Sequence, residues 1–449
     1  MSKIFPETCR NSMSRALAAL VRGCDQTYVE GLTHVVDTSM GGLNREYHVL
    51  KHALEVADSA DPIEILVGLF HDIIQIEADG GITSACIPFI EDLIEVELHP
   101  VPLVPTSLYP TAKITLREKP YWRQGDVAEI VCSIFKMAPA IDIAGAAGHN
   151  EFLSALVAAR ALERRVSSEA ITNVVLGIEA TIPFRAGWRR ALKESRDALG
   201  QIKNKLNLKL TNSDFDLMMR RVVNVANRDV ESFASDDLGR FLNDTFSLMI
   251  EADTRLRSVE GIPVIIYRKR LQKMQKFLAS ISPQSVFREM DDELDPAANA
   301  VRRRRTERNL QVVDIVLSTR LLVTVLVEAV NCEKASKLRL IHSTRPHYVA
   351  VNSSVDKISR DLLRDQAGWA WKSDPSPVTL EVEMHTRCSG NGIIQRVREL
   401  QSHLERVDSL GDLRSSKAVL EEVLDLYTPD EQDCARQLSA GAPLGASSC

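Results

Sequence analysis

Residues Tyr47 to Gly81 read YHVLKHALEVADSADPIEILVGLFHDIIQIEADGG, and the reading of this stretch decides the fold. His48 and His52 stand four residues apart, which on a helix puts both on one face. His71 and Asp72 are adjacent, inside an apolar run of Ile65, Leu66, Leu69, Phe70, Ile73 and Ile74. An aspartate in such a run is costly to bury unless something pairs with it. A metal ion is such a partner, and imidazoles with a carboxylate form a donor set that first-row divalent metals accept.

The order, YHxxxH and then His-Asp, resembles the HD-domain metal-dependent phosphohydrolases, and YHVLKHALEV resembles the first helix of their phosphodiesterase branch. The resemblance covers residues 10 to 280, with specific motifs at 47 to 56 and 71 to 72. It implies a mainly α-helical HD-type domain, a divalent metal ion (Mg, Mn, Fe, Co, Ni or Zn, not distinguished), and hydrolysis of a phosphomonoester or phosphodiester on a nucleotide-like small molecule. His52, His71 and Asp72 would supply three metal ligands, and His48 resembles a general acid protonating the leaving oxygen.

A further carboxylate has to come from far along the chain, and two stretches compete for it. Asp229 lies in ANRDVESFA (226 to 234), within an apolar context of Val222, Val223, Val225 and Val230. The family's last ligand sits in a late helix after a small residue, which favours Asp229. Asn227 in the same stretch would weaken the site if it fell at the ligand position. Asp142, in APAIDIAGAAG, is the rival, and also reads as a helix cap or loop aspartate. TIPFR (181 to 185) resembles a segment of bacterial predicted HD phosphohydrolases, and Arg185 is a candidate phosphate contact because a guanidinium offers a bidentate fork. Gln75, Glu77 and Asp79 follow the His-Asp pair, either as a solvated helix end or as support for the ligands. The alternative function is a catalytically inactive HD scaffold that binds a nucleotide or a protein partner.

Composition narrows the classes. The chain has 449 residues with 45% hydrophobic, a globular value, and is long enough for more than one core. A formal net charge of -6 and 5% aromatic residues argue against a general nucleic-acid binder, which needs basic surface and stacking platforms. Eight scattered cysteines without a CxxC pair read as reduced thiols of a cytoplasmic protein. The N-terminus lacks the continuous apolar core of a signal peptide. Leu321 to Val327, between Arg320 and Glu328, reads as too short and too charged to span a bilayer, so no membrane partner is expected. The partner expected is a small phosphorylated substrate, and the sequence admits either a monomer or an oligomer.

Periodicity predicts helices over 9–35, 44–58, 62–77, 83–97, 125–138, 149–164, 168–180, 187–202, 212–235, 237–258 and 263–281, then 309–335 and 390–427. Alternation at 378–384 is β-like. Acidic MDDELD followed by VRRRRTER at 290–308 marks a boundary and a solvated linker. The expected organisation is an HD-type phosphohydrolase domain over 1–289, a smaller mixed α/β or irregular region over 309–428, and a disordered Ala/Gly/Ser-rich tail over 429–449.

Overall fold

The computed structural model describes residues 4–98, 112–118, 127–138, 142–143, 147–184, 188–206, 208–253, 256, 262–289, 296–330, 339–340, 391–410 and 417–427, with 429, 432 and 436. The protein is mainly helical, as the periodicity predicts. It divides into two compact units. The first is Met1–Glu231 with Gln284–Ala300, and the second is Ser232–Pro283 with Val301–Cys449. One of the crossings, between Ala300 and Val301, falls inside the acidic-to-basic stretch.

The first unit holds α1 (Ile4–Leu20), α2 (Gln26–Met40), α3 (Leu50–Val56), α4 (Pro62–Phe70), α5 (Ile76–Asp79), α6 (Ile87–Ile90), β1 (Ile94–Leu98), β2 (Ala112–Leu116), α7 (Ala128–Phe135), α8 (His149–Leu162), α9 (Ser168–Ala180), α10 (Trp188–Leu206) and α11 (Asn212–Asp229). At its centre is α4. Asp61 caps it, with Oδ1 accepting from the backbone N–H groups of Ile63 and Glu64, and Pro62 opens the first turn, where its missing N–H costs nothing. Every residue from Ile63 to Phe70 is buried, Glu64 with its polar partners among them, as in a helix packed on all sides. It packs against α1, α3, α8, α9 and α11. Two glycines permit the closest approaches. A Cβ on Gly68 would meet the backbone nitrogen of Ala57 at 2.4 Å, and one on Gly177 of α9 would meet Val67 Cγ2 at 2.5 Å.

Local boundaries depart from the periodicity in three places that matter. The helix expected over 9–35 is two helices, broken at Gly23 (φ 67°) and restarted by the Asp25 cap on Tyr28. The helix expected over 44–58 begins only at Leu50, so His48 precedes it. The one expected over 83–97 is the single turn α6 and then β1, which pairs antiparallel with β2, Ile94 opposite Leu116. IEVEL carries the period-2 alternation of a strand.

The second unit contains α12 (Leu238–Glu251), β3 (Ile262–Pro263), α13 (Val264–Ala279), α15 (Pro296–Val330, of which residues from Val301 on belong here), β4 (Arg339–Leu340), α16 (Asn391–Leu410) and α17 (Lys417–Leu424), while α14 (Pro283–Val286) spans the junction. Its organising element is α15, whose apolar residues from Val312 to Ala329 are buried. Gln275 of α13 donates to Asp314 and Ser318, Arg268 pairs with Glu328 at 2.6 Å, Arg320 lies over the Phe246 ring of α12, and Tyr427 Oη donates to the Leu322 carbonyl. The arginine run 302–305, expected as a solvated linker, is part of this helix. Contrary to the reading of Leu321–Val327 alone, the whole helix is long and apolar enough to cross a membrane, with a mean hydropathy of 1.9 over its best window. That window is 83% buried inside the protein, and the core helix of a soluble protein passes the same test. The β-like stretch 378–384, nearly all of the tail from 429, and Arg185 lie outside the described residues.

Candidate metal centre

Helix α4 does not continue to residue 77. It stops at Phe70, and a non-helical link carries His71 to Gln75 before α5. The freed backbone groups of this link are met by side chains. Arg45, 4% exposed, donates to the carbonyls of Asp72 (2.6 Å) and Ile73 (2.9 Å) and forms a bidentate pair with Asp79 at 2.9 and 2.6 Å. Ser154 Oγ accepts from the Ile74 N–H, and Asn150 Oδ1 accepts from the Ile76 N–H. The break turns the Asp72 side chain toward α3 instead of around the helix.

Four side chains meet there. His52 comes from α3, His71 and Asp72 from the link, and Asp229 from the last residue of α11. Their donor atoms all lie within 4.8 Å of one another. His52 Nε2 is 3.1 Å from Asp229 Oδ1 and 3.5 Å from Asp72 Oδ2. His71 Nε2 is 2.8 Å from Asp72 Oδ2, 3.4 Å from Asp229 Oδ1 and 3.4 Å from His52 Nε2. Metal–ligand bonds of about 2.1 Å set adjacent donors about 3.0–3.4 Å apart in octahedral or tetrahedral geometry. The separations in the cluster, 2.8 to 3.5 Å, straddle that range. His71 Nδ1 lies 2.9 Å from the Gly68 carbonyl, to which only an N–H can donate, so the neutral ring presents a bare Nε2 to the cluster.

The electrostatics agree. Burial alone would lower the His52 pKa, but the hydrogen-bonded carboxylates of Asp229 and Asp72 overcome it and raise the imidazole to about 9. His71 is driven the same way, with Asp72 the largest opposing influence to its burial. Burial would raise Asp72 and Asp229, and the facing histidines hold both below the ordinary carboxylate value. Two buried carboxylates thus need two positive charges. Two imidazolium protons supply them without an ion, and a single divalent cation supplies them once both rings are neutral, so the donor set fits such an ion.

His48 stands at the rim. Its side chain is 20% exposed, its Nε2 is 3.9 Å from Asp72 Oδ2, and its ring is edge-on to both Tyr47 and His52. The loop before Leu50, and not a shared helix face, brings it beside His52. Asp142 does not join the cluster: it is exposed and bridges the backbone of Thr115. Asn227 points elsewhere, accepting from the Arg288 N–H and donating to the Arg288 carbonyl.

Four residues escaped the sequence reading. Arg45 and Asn150 have no periodic signature, since their role is to satisfy a broken helix. Glu64, 5% exposed, bonds Ser59 and Asn224 and pairs with Arg228 at 2.9 Å, which fixes the end of α11 that carries Asp229. Glu151, in the first turn of α8, has its carboxyl pushed up by burial and by the charges of Asp72 and Asp229. Compared with models of known protein families, with curated proteins and with solved structures, the chain matches none of them.

Proposed function

We propose that the protein is a metal-dependent phosphohydrolase of the HD type, acting on a phosphomonoester or phosphodiester of a nucleotide-like small molecule. The observation that carries this is the convergence of His52 Nε2, His71 Nε2 and Asp72 Oδ2, all buried, with Asp229 Oδ1, partly buried, and a further histidine at the exposed edge. A divalent ion held by these four supplies Lewis-acid polarisation of a phosphoryl group and an acidified water. His48 is near enough to reach a phosphate at the cluster without being needed as a ligand, and protonated Nε2 would donate its proton to the leaving oxygen. Arg185 remains the candidate phosphate contact.

The test uses the purified full chain loaded with Mn²⁺, assayed on a panel of phosphorylated metabolites and on nitrophenyl phosphate mono- and diesters. His48→Ala should keep the metal and lose about 10²–10⁴-fold in turnover on alkyl esters. The loss should be smaller on nitrophenyl esters, whose leaving group needs no proton. An equal loss on both would remove His48 as the acid. Absence of hydrolysis in both ester classes would overturn the enzyme reading in favour of an inactive scaffold.

A further inference from the structure

Between Asp72 and helix α8 runs a chain of amide hydrogen bonds whose direction is set by the backbone. The Ile76 N–H can only donate, and it points at Asn150, so the atom facing it at 3.0 Å is Oδ1. That fixes the Asn150 amide. Its Nδ2 then donates to Gln75 Oε1 at 3.0 Å and to Glu77 Oε2 at 3.2 Å. With Oε1 so occupied, Gln75 Nε2 faces Asp72 and donates to Oδ1 at 2.9 Å. The other oxygen, Oδ2, is left to the imidazoles, 2.8 Å from His71 Nε2 and 3.5 Å from His52 Nε2. Glu77 closes the far end against His149 at 3.1 Å, which holds its carboxyl down to about 2.

We infer that Gln75 and Asn150 are positioning residues for the metal centre: a one-directional amide relay that selects which oxygen of Asp72 faces the ion and holds it there. The inference rests on the metal-centre reading above. Neither amide touches the ion. Gln75 acts through Asp72, and Asn150 acts through Gln75. The relay divides the clamping of Asp72 with Arg45, which grips its backbone carbonyl, while the relay grips its side chain. A carboxylate with one oxygen bonded in this way pays less to be fixed when the ion binds, and loss of such partners typically costs 10–100-fold in metal affinity.

The experiment is a Co²⁺ titration of the full chain, read by calorimetry and by the visible ligand-field spectrum, with circular dichroism as the control for folding. Gln75→Met removes the donor to Asp72 at nearly constant shape. Asn150→Asp keeps the acceptor for the Ile76 N–H and removes the donor to Gln75. Its added negative charge would by itself favour a cation, so a loss of affinity there reads the relay. Each variant should bind Co²⁺ about 10–100-fold more weakly, with a shifted spectrum and unchanged helicity. Because Asn150 works through Gln75, the double variant should be no weaker than Gln75→Met alone, a non-additivity that independent structural damage would not give. Parent-like affinity and spectrum in Gln75→Met, or additive losses in the double variant, would overturn the relay while leaving the metal centre standing. A parent protein that takes up no Co²⁺ would overturn the metal-centre reading itself, and the relay with it.

Discussion

His52 and His71 are held charged by two carboxylates, and that choice has a measurable consequence for pH. Without an ion, the His52 pKa stands at about 9, above the 6.5 of a free imidazole. A group raised on folding stabilises the fold fully below its unfolded pKa, and that contribution is lost as pH rises through the folded value. Asp72 and Asp229 are depressed, so their contribution is present above the ordinary carboxylate value of 3.8 and is lost as pH falls below it. The metal-free protein should therefore melt at progressively lower temperature between about pH 6.5 and pH 9. With the ion bound both rings are neutral, so the loaded protein should not show that decline, and its affinity for the ion should rise with pH as fewer protons are displaced. Melting curves in chelator and in Mn²⁺ across this range check it; parallel pH profiles would contradict it. These residues were legible in the chain because chemistry forced them into view: a carboxylate and an imidazole inside an apolar run need a partner. Arg45 and Asn150 were not, because their partners are backbone groups of a break that periodicity does not encode.

That break is the element on which the site depends. Read by its apolar spacing alone, α4 should run on to Glu77, and the cost of leaving the helix at Phe70 is met by Arg45, Ser154 and Asn150. Arg45→Ala would strip the buried Asp79 carboxylate of its ion-pair partner and take a donor from the carbonyls of His48, Asp72 and Ile73 at once. Removing one partner of a buried pair costs about 3–5 kcal/mol, so the variant should be strongly destabilised and should also weaken metal binding, since Asp72 sits in the link. Loss of stability with parent-like affinity in the surviving folded fraction would argue that the link is held by other contacts. Within α4, Gly68→Ala sets a methyl group 2.4 Å from the Ala57 nitrogen, a backbone atom that cannot step aside. It should cost about 1–3 kcal/mol as overpacking does and displace α3, which carries His52; thermal melting with a Co²⁺ titration reads both effects. The hairpin of β1 and β2 shows why some elements were misread: IEVEL is five residues long, and a short stretch of mixed pattern satisfies a helical and a strand template alike.

At the scale of the whole molecule, the chain crosses between its two units more than once. Residues 232–283 belong with α15 in the second unit, and the sequence carries no composition signal at 231 or 283 to say so. A shift in charge at 290–308 was legible, but a run of arginines reads alike on a solvated linker and on a helix. A chain ended at residue 289 keeps α12 and α13 and loses α15, against which Phe246, Arg268 and Gln275 are placed. Such a fragment should aggregate or bind a hydrophobic dye; a soluble fragment with parent-like melting would contradict the arrangement of the second unit. The proposed function stands on the four donors of the first unit, and metal analysis of the purified full chain tests it most directly. The parent should carry one divalent ion per chain. His71→Ala, Asp72→Ala and Asp229→Ala should each lose it with helicity retained, while Asp142→Ala should keep it. An ion-free parent, or unchanged stoichiometry in Asp229→Ala with loss in Asp142→Ala, would contradict the claim.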